Sequence, residues 1–338
     1  MLSPRLLGAV CAVAMLLAQM APMGAAAREL RLSHQLPETD ARHKAARVLA
    51  AEVRKRVPDL AIKIHPNSSL KIPPTEQYEA MLEGKIDMTI YPMGYASAKV
   101  PELSVVTLPG VPANAEVAAL LKGSEFEEKL QKLCEEKGFR ILTWWWLDGG
   151  MASRTHPITG PASIKGLTAR SGGGKDFNSM LAAAGAKTTD MPFTEVRGAM
   201  QAGKLDVAQN SFETFVSFRF HEFAKSVTVG GHSTLTVFMP VLISKAVWEE
   251  LSDTERQALE EAAAASDIYF EASQRESQEA AIDVFTKAGV QVQALAFKDY
   301  ADWLLIAKDG PWQRYRSISP RTADLFDSLL RSFIRSKR

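Results

Sequence analysis

The chain of 338 residues carries 40 Lys and Arg against 39 Asp and Glu, for a net charge of +1. Without a dense basic block, that balance lacks the electrostatic footprint of a nucleic-acid binder, and no run of about 18 apolar residues is present to span a bilayer. A chain of this length can build two lobes, each with its own core.

Arg5 precedes the apolar run from Leu6 to Leu17, and Ala25-Ala26-Ala27 precede Arg28-Glu29. This is the layout of a cleaved signal peptide over residues 1–27 rather than a retained anchor, and it places the mature protein, soluble, in the periplasm. Cleavage leaves Cys134 as the only cysteine. No intrachain disulfide is then possible, and Cys134 is expected to serve packing.

A strand is predicted over residues 29–33, an amphipathic helix over 40–57 with Ala45, Val48, Leu49 and Val53 on one face, and a strand over 60–65. The segment Thr75-Glu76-Gln77-Tyr78-Glu79-Ala80-Met81-Leu82-Glu83-Gly84-Lys85-Ile86-Asp87 recurs 119 residues later as Thr194-Glu195-Val196-Arg197-Gly198-Ala199-Met200-Gln201-Ala202-Gly203-Lys204-Leu205-Asp206. Each threonine is a candidate N-cap and each glycine a C-cap, with a strand opening at Ile86 or Leu205. Seven identities over thirteen positions argue for two equivalent units.

Between the copies, strand alternation would set Trp144 and Trp146 on one face and Trp145 on the other. All three pack structurally, or one of them joins Phe193, Tyr91 or Tyr95 in an apolar wall. Such a wall would favour an aromatic, hydroxy or branched acid. A strand over 167–170, a helix over 175–184 and a strand over 187–191 repeat the order of the first half. Ser171-Gly172-Gly173-Gly174-Lys175 lacks nucleotide P-loop spacing and reads as a flexible loop. Ser252-Asp253-Thr254-Glu255 is a capping box opening a helix to about Lys287. At about 50 Å, that helix outruns one lobe. A strand over 290–294 and helices over 300–307 and 320–335 complete the chain, whose basic end reads as a solvated tail.

Each half is thus a β-α-β-α-β unit with a mainly parallel sheet. The predicted fold is α/β, a two-lobed periplasmic binding protein of type II-like form, with a hinge and a long helix spanning both lobes. Residues 28–147 with 236–275 are expected to form lobe I, and 148–235 with 276–338 lobe II. Ligands in such sheets bind beyond the carboxyl ends of the strands. Those ends carry Ser33-His34, Pro66-Asn67 and Tyr91-Pro92-Met93 in one lobe, and Arg170-Ser171, Pro192-Phe193 and Gln209-Asn210 in the other.

Several motifs resemble one family in their order and spacing. They are His34-Gln35-Leu36-Pro37 before His43-Lys44-Ala45-Ala46, Pro66-Asn67-Ser68-Ser69-Leu70, Glu83-Gly84-Lys85-Ile86-Asp87-Met88, Pro101-Glu102-Leu103 before Leu108-Pro109, Ile164-Lys165-Gly166-Leu167-Thr168-Ala169-Arg170, and Gly203-Lys204-Leu205-Asp206 before Asn210. Over essentially the whole mature chain they resemble the DctP-type solute receptors of TRAP transporters. The resemblance implies a periplasmic receptor that passes organic acids to a sodium-coupled membrane permease without an ATPase. It implies that Arg170 pairs with the ligand carboxylate and that Phe193 and Asn210 touch the ligand. Two departures stand out. The family's Gly-x-Arg after a Trp-containing strand is replaced by Asp148-Gly149-Gly150-Met151-Ala152-Ser153 before Arg154, which leaves the second cationic contact unassigned. The family's Glu-Asn-Pro is here Gln209-Asn210-Ser211.

The candidate ligand-binding residues are therefore Arg170, Asn210, Phe193, Tyr91, Trp146, Met151, Arg154, His34 and Gln209. A guanidinium suits a carboxylate because its planar donors form two parallel charge-assisted bonds. The expected partners are a small carboxylate and the permease subunits, with the receptor a monomer. No cofactor or metal is expected: His34 and His232 read as satisfied loop histidines, and His221-Glu222 lacks a second histidine. Nucleophile elbow and dinucleotide fingerprint are both missing, which argues against an enzyme. The alternatives are the same fold serving an ABC permease or a membrane sensor and, behind these, a secreted enzyme.

Overall fold

The computed structural model describes residues 27–172, 174–191 and 193–335. The expected leader, apart from Ala27, lies outside the described residues, as do Gly173, Pro192 and the last three residues of the basic tail. In chain order the strands are β1 (Arg28–Ser33), β2 (Leu60–His65), β3 (Met88–Ile90), β4 (Phe139–Ile141), β5 (Trp146–Ser153), β6 (Thr168–Ser171), β7 (Lys187–Thr188), β8 (Val207–Ser211), β9 (Ser226–Gly231), β10 (Thr236–Phe238), β11 (Val241–Ser244) and β12 (Gln291–Leu295). The main helices are α1 (Ala41–Arg56), α2 (Gln77–Leu82), α3 (Glu125–Glu136), α4 (Lys175–Ala183), α5 (Phe193–Gln201), α6 (Phe212–Ser217), α7 (Asp253–Lys287), α8 (Phe297–Ala307) and α9 (Pro320–Arg335).

Two sheets form two lobes, of order β2-β1-β3-β11-β4 and β12-β9-β5-β8-β6-β7. The parallel trio β2-β1-β3 has its counterpart in β7-β6-β8. Beside each trio lies an antiparallel strand contributed after the chain has crossed from the other lobe, β11 against β3 and β5 against β8. The duplicated sequence thus folds as a duplicated unit, and its last residue does the same work twice. Asp87 Oδ2 accepts the backbone N–H of Arg31 at 2.7 Å, and Asp206 Oδ2 accepts that of Thr168 at 2.9 Å. Each aspartate ties its own unit's third strand to the first. Gly84 and Gly203 both take φ +72°, the left-handed turn that ends the helix and needs a residue without Cβ. Asp206→Ala is expected to cost about 1–3 kcal/mol by stranding the Thr168 donor. An unshifted urea midpoint would rule that role out.

Neither threonine of the repeat caps a helix. A short 3-10 turn, Pro74–Glu76, precedes α2, and Thr194 lies inside α5. The strands open two residues later than predicted, because Ile86 and Leu205 are buried in the turn before them, and β7 is only two residues long.

Helix α1 begins where Asp40 accepts the N–H of Arg42 and ends on the cationic turn Arg54, Lys55, Arg56, charges suited to the C-terminal end of the helix dipole. Its face of Ala45, Ala46, Leu49 and Val53 is fully buried. Helix α7 packs on it through Ala262, Ala263 and Ser266, whose hydroxyl reaches the Ala45 carbonyl at 2.6 Å. The capping box at Ser252 and Glu255 is present. Over its 35 residues, α7 buries Leu259 and Phe270 in the first lobe and Phe285 in the second, so one rod serves both.

The chain also crosses between lobes from β4 to β5 and back from β10 to β11, side by side: Met239 N donates to the Trp145 carbonyl at 3.0 Å, and Leu142 N to the Val241 carbonyl at 2.9 Å. The tryptophans sit in this crossing. Trp144 and Trp146 pack on Phe238, with centroids 4.7 and 4.5 Å away, while Trp145 stacks on Phe270 from the opposite face at 5.1 Å. Cys134 is buried in the first lobe, where burial raises its thiol well above the ordinary value.

The C-terminal part corrects the expected division. Helix α8 packs in lobe II through Tyr300 and Trp303, but α9, expected there too, lies on lobe I. Its Leu325, Phe326 and Leu329 share a core with Phe126 and Leu130 of α3, and Arg331 pairs with Glu125 at 2.9 Å. An amphipathic terminal helix declares that it has an apolar face but not which lobe covers it.

Candidate functional site

A cavity opens between the lobes, and both build it from corresponding loops. Lobe I contributes Gln35 and Leu36 after β1, Pro74 after β2, and Pro92 with Tyr95 after β3, together with Arg42 from α1. Lobe II contributes Gly172 after β6, Phe193 after β7, and Asn210 with Ser211 at the end of β8, joined by Thr214 and Phe218. Val237 and Met239 of the crossing chain close it. The site thus lies where strand ends converge in an open α/β sheet.

Arg170, on β6, is only 4% exposed. Its Nε donates to the Met191 carbonyl at 3.0 Å, and its guanidinium carbon lies 5.9 Å from the Phe193 ring centre. A Cβ on Gly172 would stand 3.3 Å from Arg170 Nη1 and 3.3 Å from the Asn210 side-chain oxygen. The glycine keeps open the place on the cavity wall where cation and amide meet. Among the described residues no carboxylate forms an ion pair with Arg170. Asn210 Oδ1 accepts the N–H of Ser211 at 2.8 Å, which leaves its NH₂ as the group offered to a ligand. Phe193 meets Phe218 edge to face at 4.8 Å.

The structure therefore brings Arg170, Asn210 and Phe193 together and sets the other candidates apart. Tyr91, 1% exposed, packs between Tyr78 and Tyr95, and burial pushes its phenol far up; Tyr95 is the tyrosine on the wall. Trp146 lies in the core against Phe238. Met151 faces a separate, smaller hollow inside lobe II. Gln209, fully buried, donates to Thr234 Oγ1 at 3.0 Å, and its carbonyl holds Gly172 N at 2.9 Å. Arg154 pairs with Asp206 at 3.0 Å, four residues along β5 from the rung that pairs Gly150 with Asn210, or about 14 Å away. It is not the second cation of the cavity. His34 is fully buried beneath the wall. Its Nδ1 accepts Leu36 N at 3.1 Å and its Nε2 lies 3.2 Å from His43 Nδ1. Burial and then His43 lower its pKa to about 3, so it is neutral and structural.

The cavity-lining cation that sequence reasoning missed is Arg42. It is 1% exposed and lines the cavity. Its Nε and Nη2 grip Asp40 at 2.8 and 2.7 Å, and Nη2 also reaches Thr214 Oγ1 in lobe II at 3.5 Å. Asp40 accepts in addition from Ser217 Oγ, across the lobes, at 2.7 Å. Burial alone would raise the Asp40 carboxyl, but Arg42 and Ser217 outweigh it and hold it low. The signal was present: an N-capping aspartate with an arginine two residues on can close this ring within one helical turn. Beside the pair, Glu213 is 4% exposed with one oxygen unpartnered, and burial followed by the Asp40 charge pushes it up to about 8.

Two α/β lobes joined by crossing strands and a shared helix, with a cavity walled equally by both, define a two-lobed solute receptor. The chain belongs to the bacterial extracellular solute-binding protein family 7, DctP, whose pattern it matches over residues 32–309. It is 34% identical over 294 residues to a solute-binding protein of Albidiferax ferrireducens, covering 85% of this chain and 86% of that one. It is 28% identical over 307 residues to the C4-dicarboxylate-binding periplasmic protein DctP of Rhodobacter capsulatus, covering 90% and 91%. A TRAP periplasmic solute binding protein from Rhodoferax ferrireducens, solved with bound malonate, superposes with a TM-score of 0.87 at 32% identity, covering 91% of this chain and 99% of that one. Among the described residues no helix is long and apolar enough to cross a membrane.

Proposed function

We propose that this chain is a periplasmic receptor, exported by its cleaved leader, that captures a small carboxylate between its lobes and delivers it to a TRAP-type membrane transporter. One observation carries the reading: Arg170 is a buried guanidinium beside the cavity with no anionic partner among the described residues. A buried charge is costly until it is paired, and a ligand carboxylate supplies the pair with two parallel bonds. Asn210 and the Phe193 ring complete the contact. The relatives support the same reading, one solved with malonate and one named for C4-dicarboxylates.

Because both lobes line the cavity, a ligand that touches both favours the shut arrangement over the open one. The receptor is expected to act as a monomer. A ligand that binds only the folded chain stabilises it by about 2.7 kcal/mol at one hundred times its Kd. A thermal-shift screen should therefore raise Tm with carboxylic acids and not with their methyl esters or amides. Equal shifts from acid and ester would defeat the proposal.

A further inference from the structure

Resting on Arg170, beside the cavity, as the carboxylate partner, we infer that the ligand is a monocarboxylate with an apolar or aromatic body, because Arg42, the guanidinium in the cavity lining, is already neutralised by Asp40. Arg42 is gripped at both Nε and Nη2 by the two Asp40 oxygens, at 2.8 and 2.7 Å. Both side chains are essentially unexposed, at 1% and 0%. The one guanidinium nitrogen not engaged with Asp40, Nη1, meets the thioether of Met239 at 2.9 Å, a weak acceptor.

The titratable neighbours do not alter the sum. His34 is neutral, and Glu213, pushed up to about 8, is largely protonated near pH 7. The Asp40 and Arg42 corner is therefore neutral, and Arg170 is left as one positive charge for the ligand to match. The lining also holds the apolar side chains Leu36, Tyr95, Phe193, Phe218, Val237 and Met239. A second carboxylate placed there has no cation to take it and loses its hydration. A ring or branched chain placed there is covered by aromatic faces. Discrimination then comes from a withheld cation, the occupied arginine, as well as from the attractive wall.

The test compares acids that differ only by exchange of methyl for carboxylate: 4-methylbenzoate against terephthalate, and pentanoate against glutarate. Calorimetry on the wild-type receptor is expected to give the monoacid at least about tenfold the affinity of its diacid partner. Diacids that bind as tightly or more tightly overturn the inference while leaving the carboxylate reading in place. If neither member of either pair binds, the carboxylate reading itself falls. Asp40→Asn supplies a second arm, since asparagine caps a helix as well as aspartate but no longer neutralises Arg42. The diacid-to-monoacid affinity ratio is expected to rise at least about tenfold in this variant. A folded Asp40→Asn receptor with an unchanged ratio shows that Arg42 is not the withheld cation and overturns the inference. Should that variant not fold, the wild-type pairs decide alone.

Discussion

Arg170→Ala is expected to weaken carboxylate binding by about 2 to 5 kcal/mol, the usual cost of truncating one partner of a buried charged pair. The expectation rests on position. The side chain is 4% exposed, its Nε is fixed by the Met191 carbonyl, and Nη1 stands at the Gly172 wall beside Asn210. Arg170→Lys should recover only part of the loss, because an ammonium is a point charge without the planar fork. The unliganded protein should lose little or gain stability, since the deleted charge is buried with no anion beside it. Calorimetric titration with the tightest acid of the screen reads the first effect and Tm without ligand the second. Undiminished affinity in the alanine variant would remove Arg170 from the site.

The second large effect concerns stability against pH. Glu213 carries a carboxyl pushed from 4.5 to about 8, first by burial and then by Asp40. Between those values the unfolded chain releases this proton and the folded chain keeps it. The folded state therefore binds more protons, and stability falls as pH rises, on the order of 1 kcal/mol per pH unit from this group. Glu213→Gln puts a neutral amide where the protonated acid stood and removes the penalty. The variant should match the wild type near pH 4.5 and exceed it by a few kcal/mol near pH 8. Tm curves for the two proteins that run parallel across that range would refute the assignment.

Much of this architecture was legible in the residues because it rests on local rules. The two copies ending in Gly-Lys-Ile-Asp and Gly-Lys-Leu-Asp marked equivalent units, and strand alternation sorted the three tryptophans correctly onto two faces. The capping box at Ser252 fixed the start of the long helix to the residue. What escaped was decided by contacts distant in sequence. Nothing in the periodicity of residues 320–335 names α3 as its partner. Tyr95 rather than Tyr91 reaches the cavity because a short helix, Met93–Ala96, follows Pro92 and turns the later ring inward. Arg42 lies away from the strand ends and enters the cavity from the first turn of a helix.

The bond from Ser217 Oγ to Asp40 joins the lobes without belonging to the cavity wall. It must break for the two lobes to part at this point. Its breaking adds the same barrier to the exit of each acid, so it cancels from any ratio of affinities while lengthening all dwell times alike. Ser217→Ala should then speed the release of all acids by a common factor.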